Sequence, residues 1–160
     1  MADVAAILST RVQQADFDLS GLQSELLQGH AEEGAIASFT GYVRNGKGGG
    51  EIEAMVLEHY PGMTEKCIQE ILEQAAGRWP LLAAGVVHRV GSLRPGEQIV
   101  WVGVAAAHRE AAFAACEFIM DYLKTGAPFW KKEVGSSGSQ WVEARAGDLA
   151  RARRWNTPRT

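Results

Sequence analysis

The sequence predicts one soluble domain in which helices and strands are interspersed, and three observations carry that expectation. Apolar residues recur at helical spacing over Met63–Trp79 and again over Ala112–Leu123. The run Gln98–Ala107 is apolar at nearly every position, which marks a central strand buried on both faces. Gly135–Gly138 (Gly-Ser-Ser-Gly) separates two extended segments and reads as a hairpin.

Residues 1–160 read as a single domain, long enough to bury a sizeable core. The 46% apolar and 22% charged composition is ordinary for a soluble protein. A formal charge of −3 argues against a general nucleic-acid binder. No run is apolar for long enough to cross a bilayer, and the first residues lack a signal pattern. With only two cysteines, both on apolar helix faces (Cys67 and Cys116), a disulfide framework is not expected. A cytoplasmic address and no membrane partner are the expectation.

In chain order, residues 1–15 read as a short helix or a loose arm. Asp16–Leu19 alternates polar and apolar, as a short edge strand does. Ser20 is placed to cap a helix through Leu22, Leu26 and Leu27, which Gly29 ends. Ala35–Val43 is a strand, followed by Arg44-Asn45 and the glycine-rich stretch 46–50. That stretch lacks the Gly-Lys-Ser/Thr ending of a phosphate loop, so it reads as a flexible hairpin loop.

Glu51–His59 is the next strand, alternating at Ile52, Ala54, Val56 and either Leu57 or Glu58. Tyr60-Pro61-Gly62 breaks the chain before the helix that stops at Pro80. Leu82–Val90 is a strand and Ser92–Gly96 a turn. His108-Arg109 opens a helix with its stripe at Ala112, Cys116, Ile119, Met120 and Leu123, ending at Thr125-Gly126 because Gly favours the position past a helix end. Pro128 bars continuation, and Phe129–Val134 and Gln140–Glu143 flank the hairpin. Asp148 is placed to cap a last short helix to Trp155, with 156–160 frayed.

Chemistry concentrates at element ends. Lys124 sits on a last helical turn and Lys131 on the strand after it, so the turn between them can aim both ammonium groups into one pocket. His108 and Arg109 stand at a helix N-terminus, where unpaired N–H groups and the dipole favour an anion. Arg44 closes a strand before a loop. Taken singly, each has a simpler role on a solvated surface; together the four cationic positions predict a pocket for a polyanionic small molecule. His30, His59 and His88 have no metal-ligand spacing, so neither a metal nor a cofactor is expected. Arg151, Arg153 and Arg154 read as salt links or a solvated face.

Several strings resemble one known family. They are Phe39-Thr40-Gly41 with Val43-Arg44, the run Leu57–Lys66 (Leu-Glu-His-Tyr-Pro-Gly-Met-Thr-Glu-Lys), His88–Gly91, Pro95–Glu97, Val102–Val104, His108-Arg109, and Phe118–Thr125 with Ala127–Lys131. In this order, over about residues 33–145, they resemble the large, catalytic subunit of molybdopterin synthase. The resemblance implies an α+β fold of the α/β-hammerhead type with an additional small antiparallel β-subdomain. It also implies a homodimer in which each protomer binds a small ubiquitin-like sulfur carrier, giving a heterotetramer. The carrier's C-terminal thiocarboxylate would deliver sulfur, in two transfers, to cyclic pyranopterin monophosphate, in molybdenum cofactor biosynthesis.

Carried over by position, Lys124 matches the principal catalytic lysine and Lys131 the second. Tyr42, Val43, Arg44, His108, Arg109, Lys132 and Glu133 match substrate-binding positions. Relatives often carry a basic residue where this chain has Tyr42, so a hydroxyl or backbone contact is expected there. The pocket is expected to draw on both protomers, and neither Cys67 nor Cys116 to carry sulfur. Two other classes stay open on the residues alone: a non-catalytic binding module, and a generic phosphate-ligand enzyme. Only the sulfurtransferase predicts a dithiolene product.

Overall fold

The protein is described here by a computed structural model covering residues 5–27, 29, 31–45, 52–135, 138–142 and 146–156. Along the chain run β1 (Ile7–Gln13), α1 (Leu19–Leu26), β2 (Ala35–Tyr42), β3 (Ala54–His59), α2 (Met63–Arg78), β4 (Leu81–Arg89), β5 (Gly91–Leu93) and β6 (Gln98–Ala106). There follow α3 (Arg109–Gly126), β7 (Phe129–Gly135), β8 (Gly138–Val142), α4 (Ala146–Arg153) and a 3-10 turn at Arg154–Asn156. The strands form two four-stranded sheets, ordered β1-β4-β6-β2 and β5-β3-β7-β8. β1 runs parallel to β4, and every other pairing is antiparallel. This is the mixed α+β architecture with a second, small antiparallel sheet that the resemblance implies. No described helix is long and apolar enough to cross a membrane.

β4 and β6 are buried along almost their whole length because helices cover both faces of the first sheet. On one face Ala84, Val86, Val102 and Val104 pack with Ile68 and Leu72 of α2 and Phe118 and Ile119 of α3. On the other, Ala83, Val87, Trp101 and Ala105 pack with Leu22 and Leu26 of α1. The Trp101 indole lies across the paired glycines Gly85 and Gly103, where a Cβ on Gly103 would meet the ring at 2.2 Å. Each fully buried Ile, Leu or Phe here is worth about 1.5–3 kcal/mol. Leu57 and Leu93 carry the main core into the second sheet.

Several local expectations change. Residues 7–13 are neither helix nor arm but a strand whose side chains alternate in exposure, with Leu8 and Val12 turned to the core. The Asp16–Leu19 edge strand is absent: Asp18 caps α1, its Oδ2 accepting from the Gly21 N–H at 3.1 Å, where Ser20 was the expected cap. β2 and β3 belong to different sheets and do not pair with each other; the glycine-rich stretch 46–50, expected as a hairpin loop, lies outside the described residues, as does His30. β3 turns Met55 and Leu57 inward, which settles the alternatives at 57 and 58 for Leu57 and puts the Ala54 and Val56 alternation on the other face. Ser92 and Leu93, expected at the start of a turn, belong instead to the short strand β5 against β3. Gly126 ends α3 as its last residue without a positive φ, and Asp148 lies inside the first turn of α4 instead of capping it. The β7–β8 hairpin closes at Gly135 opposite Gly138. Asn156 is tied down, accepting from the Tyr122 hydroxyl at 3.1 Å, and 157–160 lie outside the described residues.

Candidate active site

Helix α3 decides where the cations go. It starts where β6 stops and runs back over that strand: 18 residues rising about 27 Å against about 30 Å for nine residues of strand. Its two ends therefore sit over opposite ends of the first sheet. Arg109 to Lys124 is 15 residues, about 22 Å along the axis. Within one chain the His108-Arg109 pair and Lys124 do not meet.

The start of α3 is set by a tight backbone contact. The Gly34 N–H donates to Ala106 O at 3.0 Å, and a Cβ on Gly34 would stand 2.0 Å from the Ala107 carbonyl oxygen. Only a glycine lets the chain entering β2 come this close. His108 is the N-cap residue but makes no capping bond through its side chain, and both it and Arg109 are exposed. The pair is thus presented outward from the N-terminal end of the helix.

The other end of α3 is clamped by the C-terminal segment. The buried Asp121 carboxylate accepts from Arg154 Nη2 at 2.9 Å and Trp155 Nε1 at 2.7 Å. Arg154 also pairs with Glu117. Trp155 packs edge-on against Trp79 and Phe118, and its carbonyl accepts from Arg78 Nη1 at 2.7 Å. The Arg154 expectation of a salt link is met, and its effect is to hold the last turns of α3, which carry Lys124.

Pairing in the second sheet then sorts the residues after Pro128. In β7, Phe129, Lys131 and Glu133 stand opposite His59, Leu57 and Met55, which face the core side. Trp130 and Lys132 point to the other face, where Lys132 Nζ lies 5.7 Å from the Trp141 ring centroid. Lys131 and Glu133 thus share a face, and Lys132 does not join them.

His88 lies where these parts converge. It continues the core-side alternation of Ala84 and Val86 on β4, is 7% exposed, and stacks on Phe129 with centroids 3.9 Å apart and planes 19° apart. Its Nδ1 lies 2.8 Å from Arg89 O; a carbonyl only accepts, so Nδ1 carries the proton of the neutral ring. Burial pushes its pKa down to about 4, against the Arg89 hydrogen bond, with Lys131, Lys124 and His59 all adding to the depression. Both lysines therefore act on one buried imidazole. His59 in turn has its Nε2 3.5 Å from Glu65 Oε1. Sequence reasoning set His88 aside for want of a ligand partner. The available signal was different: a polar residue on the core side of an alternating strand.

Arg44 and Tyr42 lie at the same end of the first sheet as Gln98, both exposed. Val43 between them is buried; its N–H donates to Glu97 O at 2.9 Å and its carbonyl accepts from Gly96 at 2.6 Å. Its donor is occupied, so Val43 acts as the anchor that fixes Arg44. The Cys116 thiol is pushed up to about 12 by burial, with Glu117 adding to the rise, so it stays protonated and a poor nucleophile.

A family model described as "MoaE protein" matches residues 12–126. The chain is 54% identical over 151 residues to the molybdopterin synthase catalytic subunit of Pseudomonas aeruginosa, covering 92% of this chain and 99% of that one. Among solved structures it is similar to the molybdopterin biosynthesis MoaE protein of Burkholderia ambifaria, with a TM-score of 0.79 and 48% identity over 96% of this chain and 99% of that one. It shares its fold with a protein complex of subunits 1 and 2 of molybdopterin-converting factor from Helicobacter pylori, with a TM-score of 0.70 at 18% identity, covering 85% and 91% of the two chains. The chain belongs to the MoaE family, that of molybdopterin synthase catalytic subunits.

Proposed function

We propose that the chain is the sulfurtransferase that converts cyclic pyranopterin monophosphate to molybdopterin, taking sulfur twice from the C-terminal thiocarboxylate of a small ubiquitin-like carrier. The observation that carries this reading is the placement of Lys124 on the last turn of α3 and Lys131 on the core-side face of the strand that follows, in a chain of the MoaE family. The thiocarboxylate sulfur attacks a pterin-side carbon and displaces an oxygen substituent there, so that a carbon–oxygen bond breaks as the acyl–sulfur–carbon link forms and the departing oxygen leaves with a proton. Water then hydrolyses the acyl bond, returning the carrier as a carboxylate and leaving sulfur on the pterin. Lys131 holds the anionic oxygens and Lys124 moves protons in both steps. Glu133, on the Lys131 face, and Tyr42 and Arg44, at the neighbouring strand end, contact substrate; Lys132 has at most a peripheral part.

His108 and Arg109 hold the substrate phosphate, since charge-assisted bonds at a helix N-terminus orient an anion well. The 22 Å or so between Arg109 and Lys124 along α3 supports a homodimer in which this pair completes the partner protomer's pocket. With one carrier on each protomer the assembly is a heterotetramer. The complex of subunits 1 and 2 from Helicobacter pylori, of the same fold, is in keeping with a second subunit. A cytoplasmic location fits this chemistry.

The test is product formation. Incubated with thiocarboxylated carrier and cyclic pyranopterin monophosphate, the chain should yield the dithiolene and the carrier carboxylate in a 1:2 ratio. No product at saturating carrier and substrate would overturn the reading.

A further inference from the structure

Phe129 stands two residues before Lys131 and five after Lys124, so its placement governs how β7 departs from α3. Two buried groups outside that segment hold it. On β4, the His88 ring lies flat against the Phe129 ring, 3.9 Å between centroids. On α2, the Thr64 hydroxyl is wholly buried; it accepts from the Tyr60 N–H at 2.9 Å and donates to the Pro128 carbonyl at 3.0 Å. The turn itself is short: Ala127 is extended (φ −95°, ψ 133°), and the Phe129 N–H donates to Ala127 O at 2.9 Å.

We propose that His88 and Thr64 are positioning residues for the lysine pair: the His88–Phe129 stack and the Thr64–Pro128 bond fix the 127–129 turn, and with it the separation of the Lys124 and Lys131 ammonium groups. The inference rests on reading those lysines as the catalytic pair. His88 serves as a flat, uncharged plate. Its Nδ1–H is occupied by Arg89 O, and the groups bearing on the ring are Lys131 on β7, Lys124 on α3 and His59 on β3. A neutral ring lets two ammonium groups stand near it, where an imidazolium would repel both. Thr64 supplies directionality that an apolar residue cannot, since its one hydroxyl joins the entry of α2 to the turn. Loosening either grip lets the lysine tips drift by an ångström or so, enough to cost a preorganised site about 10- to 100-fold in rate.

The experiment uses the chain with thiocarboxylated carrier and cyclic pyranopterin monophosphate, and compares Thr64→Val, Thr64→Ser, His88→Ala, His88→Phe and Lys124→Ala by kcat, KM for the carrier, and thermal melting. Thr64→Val and His88→Ala should lower kcat about 10- to 100-fold with KM within about threefold of the parent. Thr64→Ser restores the hydroxyl and His88→Phe the plate, so both should stay within about threefold of parental kcat. Parental kcat in Thr64→Val and His88→Ala overturns the proposal. So does His88→Phe as impaired as His88→Ala, which would assign the effect to imidazole chemistry. An active Lys124→Ala would instead refute the catalytic reading of the lysines, whatever happens at 64 and 88. Should His88→Ala fail to fold, the Thr64 pair decides.

Discussion

Lys124→Ala is expected to lower dithiolene formation at least about 100-fold, the scale on which loss of one preorganised charge-stabilising group shows itself. The fold should hardly notice. Lys124 is exposed on the last turn of α3, and its removal forfeits only a helix-dipole interaction of about 0.3–1 kcal/mol. The last turns stay clamped through the hydrogen bonds of Asp121 with Arg154 and Trp155, which do not involve Lys124. Single-turnover product formation beside a thermal melt separates the two effects. Lys132→Ala is the matched control, because Lys132 points to the opposite face and lies against Trp141. It should stay within about threefold of the parent in activity. Comparable losses at 124 and 132 would mean that rate follows the general positive charge of the segment and not geometry.

Acid is expected to destabilise the fold by about 3 kcal/mol through His88 alone. Its folded-state pKa of about 4 lies below the ordinary 6.5, so the unfolded chain takes up the proton first. The contribution is therefore complete above pH 6.5, is lost as pH falls towards 4, and is gone below that. A gap of about 2.5 pH units at about 1.36 kcal/mol each gives the magnitude. Burial is the main cause, and Lys131, Lys124 and His59 reinforce it. Urea unfolding at pH 7 and pH 4.5 should show this loss in the parent and a smaller one in His88→Phe, where no imidazole has to charge. Equal losses in both would remove His88 as the origin.

What could be read from the sequence was whatever depends on near neighbours. The helical stripes of α2 and α3, the buried run of β6 and the β7–β8 hairpin are local patterns, and the structure places each where the spacing predicts. β1 escaped because its partner is remote: Ile7 pairs with Ala83 on a parallel neighbour, and only that pairing makes 7–13 a strand. The cap of α1 went to Asp18 over Ser20, a choice between two good capping residues that backbone geometry settles. The phase of β3 depended on which face of the second sheet meets the core, and no local pattern carries that information.

The site divided along the same line. A helix end followed by Pro128 brings Lys124 and Lys131 to one neighbourhood through local chain geometry alone. That Lys132 points away follows from the two-residue period of a strand, once Lys131 is turned inward. Thr64 and His88 were invisible as a pair because they reach the turn from positions 64 and 41 residues away from Pro128 and Phe129 respectively. The helix length between Arg109 and Lys124 was legible from the start, and the proposed division of the cations between two copies of the chain is built on it.

That division is open to a direct test by mixing subunits. Chains carrying Lys124→Ala and chains carrying Arg109→Ala are each expected to be inactive alone. Co-expressed and assembled at random, about half of the dimers pair one of each, and twofold symmetry gives every such dimer one pocket with both substitutions and one with neither. Activity should then return to about a quarter of the parental value. A mixture as inactive as its two components would contradict the shared pocket, because it would mean that the lysine and the arginine serve the same site from the same chain.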